Sequence, residues 1–218
     1  MLFDLTHALE SKKERNFYSK VFAGYYFNEL IPGYESRLRD FTGLLRADRG
    51  LTFSGSLDEQ FRLSEESTHV TFDFHGYLVD EKNDRGELAD ILIADIENKS
   101  VVAVEVKFLS DWDFEKDVIK ASCRFRSLLT SRRISSFAHV LLITRDKLDA
   151  AQRALKREGS NWRKLASVEL GYPVVVVTWE DIAESCKGPD GTIVSEFIYS
   201  HIEKSKKCFR DRAREIIG

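Results

Sequence analysis

Cysteine is scarce and scattered in this chain. Cys123, Cys186 and Cys208 are odd in number and far apart, with neither the framework of a disulfide-stapled scaffold nor the ligand spacing of a zinc site. That usage fits reduced thiols that fill core space in a cytoplasmic protein. No apolar run approaches the length of a membrane helix, and the N-terminal MLFDLTHALESKKER has no apolar h-region, so the expectation is a cytoplasmic protein that does not engage a membrane. A basic surplus is also missing: Lys and Arg number 33 against 36 Asp and Glu, a net charge of -3. Such a balance does not advertise a nucleic-acid binder, and any basic face must come from local clustering. Gly-rich phosphate loops of the Walker type, GxGxxG, HExxH and Gly-x-Ser-x-Gly are absent, as are tandem repeats, low-complexity tracts and flexible linkers.

What is present is enough chain for a real core, 218 residues of ordinary globular composition, and one stretch that breaks the rules of a core strand. Residues 87–108, ELADILIADIENKSVVAVEVKF, read as two apolar strands joined by a tight polar turn. The second is dense in β-branched residues on both faces, the pattern of a strand covered on two sides, yet Glu105 and Lys107 interrupt it. Residues two apart on a strand share a face, so this carboxylate and amine lie side by side while Val104, Val106 and Phe108 pack opposite. If Asn98-Lys99 is a two-residue hairpin loop, Asp90 pairs with Lys107 and Leu92 with Glu105, and Asp90, Glu105 and Lys107 converge on one patch. A loop one residue longer or shorter would flip the parity. Two carboxylates held together in an apolar strand pair need compensation, which a hard divalent cation supplies. Mg²⁺, for which Mn²⁺ substitutes, is well served by one or two carboxylates, waters and a substrate phosphate.

An Asp, a hairpin of about this length and then Glu-x-Lys in a hydrophobic strand resembles the PD-(D/E)XK nuclease superfamily, restriction-endonuclease-like proteins that cut nucleic acid with Mg²⁺. The matching residues are Asp90, Glu105 and Lys107; Ala89 stands where the family name has proline. The resemblance implies that Asp90 and Glu105 are metal ligands and Lys107 the catalytic lysine. It also implies a nucleic-acid substrate, DNA foremost, a role in phage defence, restriction or repair, and a homodimer or a partner subunit.

Along the chain, residues 13–31 read as an aromatic-striped helix ended by Pro32-Gly33, 34–47 as a second helix and 57–67 as a short third one. Residues 69–79 alternate as a first strand, with Thr71, Asp73 and His75 on one face and Val70, Phe72 and Phe74 on the other, which lets Asp73 and His75 face the site. Residues 111–133 read as a helix carrying Lys116, Lys120, Arg124, Arg126, Arg132 and Arg133, a phosphate-tracking surface in the nuclease reading. Strands follow at 136–144 and 173–179, a short helix at 181–185, a turn at Gly188-Pro189-Asp190-Gly191 and a basic helix over 195–217. The expected fold is α/β, with a restriction-endonuclease-like αβββαβ core over 57–179 and a mixed central sheet flanked by helices. A helical part over 1–56 and C-terminal helices over 180–218 complete one nuclease-like domain, 1–218.

Within that resemblance a helix before the sheet often brings a further glutamate to the metal. Glu14 opens the first helix and is the candidate metal ligand; Glu29, or Glu59, Glu65 or Glu66 in the short helix, compete with it. Taken alone, Glu14 also reads as a solvated residue favoured by the helix dipole. Lys120 is the candidate catalytic residue from the helix after Glu-x-Lys. Two readings stand against catalysis: a non-catalytic domain of the same fold that binds nucleic acid or protein, and an unrelated α/β protein in which Glu105 and Lys107 form a buried ion pair.

Overall fold

The computed structural model describes residues 17–18, 21–27, 34–46, 57, 61–75, 87–108, 125, 134–149 and 172–217. Five strands form one mixed sheet in the order β1 (Thr68–His75), β2 (Glu87–Asp95), β3 (Ser100–Lys107), β4 (Ser136–Ile143) and β5 (Val174–Thr178). The first three run as an antiparallel meander, and β4 and β5 then lie parallel to β3. The helices include α1 (Tyr34–Arg46), α2 (Trp179–Ser185) and α3 (Gly188–Ile217), preceded by a π-helical turn, Phe22–Tyr26.

Alternation along the strands sorts side chains onto two faces. Ile91, Ile93, Val102, Val104, Val106, Ala138, Val140, Leu142, Val175 and Val177 join a cluster with Phe17, Phe22, Tyr26, Phe41, Leu45, Trp179, Ile198 and Ile202, so the helices cover this face. Phe17 sits at its centre, with ring centroids 4.9 Å from Phe108, 4.8 Å from Trp179 and 4.2 Å from His201. Leu92, Ala103, His139, Leu141 and Val176 on the opposite face are buried too, and Phe125 packs there against Phe137, His139 and Tyr172. Cover on both sides explains the β-branched runs in β3 and β5.

Three local expectations are corrected. Phe61–Ser67 is coil and turn instead of helix. Its backbone and hydroxyls are recruited elsewhere: Phe61 O accepts from Arg46 Nη2 at 2.7 Å, and Ser64 N and Ser67 Oγ both donate to Asp95 at 2.6 Å. The loop between β2 and β3 spans four residues instead of two, because Asp95 pairs with Ser100. Asp95 accepts from Asn98 N at 3.0 Å and from Asn98 Nδ2 at 2.7 Å, and Lys99 takes a left-handed φ of 51° to close the loop. Gly188-Pro189-Asp190-Gly191 opens α3 instead of forming a separate turn. Proline has no N–H to lose in the first helical turn and Asp190 complements its dipole, while Gly188 at φ +75° makes the bend into it.

Candidate functional site

At the carboxyl end of β3 the strand pair comes apart. The β2–β3 register runs from Asp95↔Ser100 to Ile91↔Val104, and its next step sets Asp90 against Glu105. The offset from a two-residue loop is two positions, so parity is kept and Asp90, Glu105 and Lys107 share the face expected of them, with Glu105 in place of Lys107 opposite Asp90. There Asp90 Oδ2 accepts the Val106 backbone N–H at 2.6 Å, a side chain standing in for the ladder carbonyl. Beside it Lys107 Nζ contacts Glu105 Oε1 at 2.5 Å, as residues two apart on one face must be able to do. In a strand buried from Ser100 to Val104, Glu105 and Lys107 keep 25% and 16% side-chain exposure, which leaves the pair open to a ligand.

The same end of the sheet carries a second charged group. β3, β4 and β5 are parallel, and Lys107 is in register with Ile143 and Ile143 with Thr178. Just beyond, Arg145 N donates to Glu180 Oε2 at 2.9 Å and its guanidinium bonds Glu184 Oε1 at 2.8 Å, with Asp181 Oδ1 at 3.4 Å. Burial is the main influence on Glu180 and raises its pKa, against the bonds that lower it. Thr178 and Asp181 form a capping box on α2, for which Thr-x-x-Asp after the apolar run was the legible signal. Arg145 and Glu180 carry no signal in the sequence, because nothing local joins residues 35 positions apart. The carboxyl ends of parallel strands are where open α/β sheets bind ligands.

Other candidates fare differently. Asp73 falls between the paired positions Phe72↔Ile91 and Phe74↔Ala89, so it holds the place on β1 opposite Asp90, whereas an irregularity pairs His75 with Glu87. Glu65 and Glu66 lie in the turn before β1, at the Asp95 end of the β2–β3 hairpin, and are not brought to Asp90. Glu14, Glu29, Glu59 and Lys120 lie outside the described residues, as do Lys116, Arg124, Arg126, Arg132 and Arg133. Among the described residues no group of three or more His, Cys, Asp and Glu side chains is arranged to hold a metal. Asp90 and Glu105 are hard-oxygen donors at this end of β3, a pair that suits a Mg²⁺ completing its shell with water and phosphate oxygens.

Cys186 donates to Ile182 O at 3.1 Å, and burial pushes its thiol up to about 12, which makes it inert. No helix among the described residues is long and apolar enough to cross a membrane. Comparison with protein-family models, with curated proteins and with solved structures found no match to the chain.

Proposed function

We propose that this chain is a metal-dependent nuclease of the PD-(D/E)XK kind, hydrolysing phosphodiester bonds of nucleic acid, DNA foremost, at Asp90, Glu105 and Lys107. The observation that carries the reading is the register that sets Asp90 beside Glu105 on the Lys107 face, where β2 and β3 part. Asp90 and Glu105 would hold Mg²⁺ or Mn²⁺, and a cation bound there would polarise the scissile phosphate and lower the pKa of water. Lys107 orients the attacking water or stabilises charge developing on the phosphate. In the structure the Lys107 amine is paired with Glu105, next to the carboxylate proposed to hold the metal.

The test is cleavage of plasmid, linear and single-stranded DNA with Mg²⁺ or Mn²⁺ by the wild type and by Lys107→Ala prepared identically. Cutting by the wild type alone supports the assignment. A protein that neither cuts nor binds metal in calorimetry refutes it. The direct Glu105–Lys107 contact favours one competing account, a non-catalytic domain in which the pair is structural. Under that account Mg²⁺ binds no better to the wild type than to Asp90→Asn.

A further inference from the structure

Glu105 and Lys107 share a face at the end of β3, and the residues in register with them on β4 are Leu141 and Ile143, both fully buried. At these positions β4 therefore brings no polar side chain to the Glu105 carboxylate. The compensation for its partial burial comes from its own strand, where Lys107 Nζ stands 2.5 Å from Glu105 Oε1. With 16% of the lysine side chain and 25% of the glutamate exposed, the contact is partly shielded from solvent, unlike the loose ion pairs of an open surface.

That contact lies where a metal ligated by Glu105 has to approach. Mg²⁺ takes a carboxylate oxygen at about 2.0–2.1 Å, so an ion on Oε1 would crowd the ammonium that Oε1 already holds. A unit positive charge about 4 Å from a divalent ion disfavours that ion about tenfold or more, even at the dielectric of water. Asp90 presents a different case, because the bond to its Oδ2 comes from the neutral Val106 N–H, which does not repel a cation. Lysine is also suited to give way, being a point charge on a flexible four-carbon stem.

From this we infer that Lys107 is a built-in competitor for the metal: its ammonium and a divalent ion contend for Glu105, so a binding ion must displace the lysine, and the lysine sets the affinity of the site. The inference rests on the nuclease reading for one point, that Asp90 and Glu105 hold the metal. It adds to that reading a control on how much metal the site requires.

The experiment is calorimetric titration of the full chain with Mg²⁺ and with Mn²⁺. The proteins are the wild type, Lys107→Met, Lys107→Arg, Asp90→Asn and the double variant Asp90→Asn/Lys107→Met. Methionine keeps an apolar stem of similar length and removes the charge; Lys107→Gln serves as the second neutral variant if a melting curve shows that methionine impairs folding. The expected result is that the neutral variant binds both ions about tenfold more tightly than the wild type, and at least about threefold. Lys107→Arg, which keeps the charge, should gain less than about threefold, and the double variant should lose the gain. A lysine that merely props the site would leave affinity unchanged or weakened when neutralised. Wild-type binding that is lost in Asp90→Asn but tightened less than about threefold by the neutral variants overturns this inference and leaves the nuclease reading standing. An equal gain in Lys107→Arg, or a gain that survives in the double variant, also overturns it. Absence of metal binding in every protein overturns the nuclease reading and this inference with it.

Discussion

Replacing Asp95 by alanine should cost more stability than replacing any residue of the candidate site. The carboxylate is 1% exposed and accepts from Ser64 N at 2.6 Å, Ser67 Oγ at 2.6 Å, Asn98 N at 3.0 Å and Asn98 Nδ2 at 2.7 Å. A hydrogen bond to a charged acceptor contributes about 1.5–3 kcal/mol, but the four do not sum. Asn98 is exposed and its amide can turn to water, while Ser67 Oγ keeps Ser64 Oγ at 2.6 Å. The main loss is the two backbone N–H groups, about 3–4 kcal/mol together. For a domain of this size that is a fall in Tm of about 6–16 °C. Urea unfolding and thermal melts followed by circular dichroism would measure both. A loss below about 1 kcal/mol would refute the reasoning and mean that water serves these donors as well as Asp95 does. The pH dependence gives an independent check. Burial pushes the Asp95 carboxyl up, but the bonds from Asn98, Ser67 and Ser64 outweigh it and hold the pKa below the usual range. Its stabilisation is therefore present above the unfolded-state value near pH 4 and lost as pH falls through the lower folded value, an acid limb that Asp95→Ala should lack.

His139 is 1% exposed with Nδ1 unpartnered, and burial lowers its pKa to about 3. The unfolded chain therefore takes up a proton first below about pH 6.5, stability falls by up to about 1.4 kcal/mol per pH unit towards pH 3, and His139→Phe should lose less between pH 7 and pH 5 in urea midpoints. Lys99 occupies φ 51°, where glycine is unstrained, so Lys99→Gly should raise stability by about 0.5–1 kcal/mol in the same assay. Gly191→Ala should lower it by about 1–3 kcal/mol, since the added Cβ would lie 2.7 Å from the Cys186 carbonyl carbon.

The strands were legible because their apolar periodicity is local. β3, β4 and β5 fall within one or two residues of the runs that announce them, and α1 ends one residue before the expected boundary. The loop length was not legible, since it depends on Asp95 trading its side chain between Asn98 and a segment 28 residues earlier. That same long-range contact withdraws Ser64 and Ser67 from the helix their sequence suggested. The faces of Asp90 and Glu105 survived the altered register only because the slip was an even number of residues. The order β1-β2-β3-β4-β5, and with it the nearness of Arg145 to Glu180, depends on parallel pairings that no local pattern encodes.

The bond from Val106 N to Asp90 decides which substitution separates chemistry from folding. Alanine at position 90 removes the carboxylate charge proposed to hold the metal and also the acceptor that replaces a ladder carbonyl, so a loss of activity in Asp90→Ala would be ambiguous. Asparagine keeps an acceptor oxygen at the same reach while removing the charge. We expect Asp90→Asn to change unfolding free energy by less than about 1 kcal/mol, Asp90→Ala to cost about 1–2 kcal/mol, and both to weaken Mg²⁺ binding by more than tenfold. If Asp90→Asn retains wild-type affinity for Mg²⁺ while Asp90→Ala alone is impaired, the Asp90 carboxylate serves the parting of β2 and β3 and nothing more.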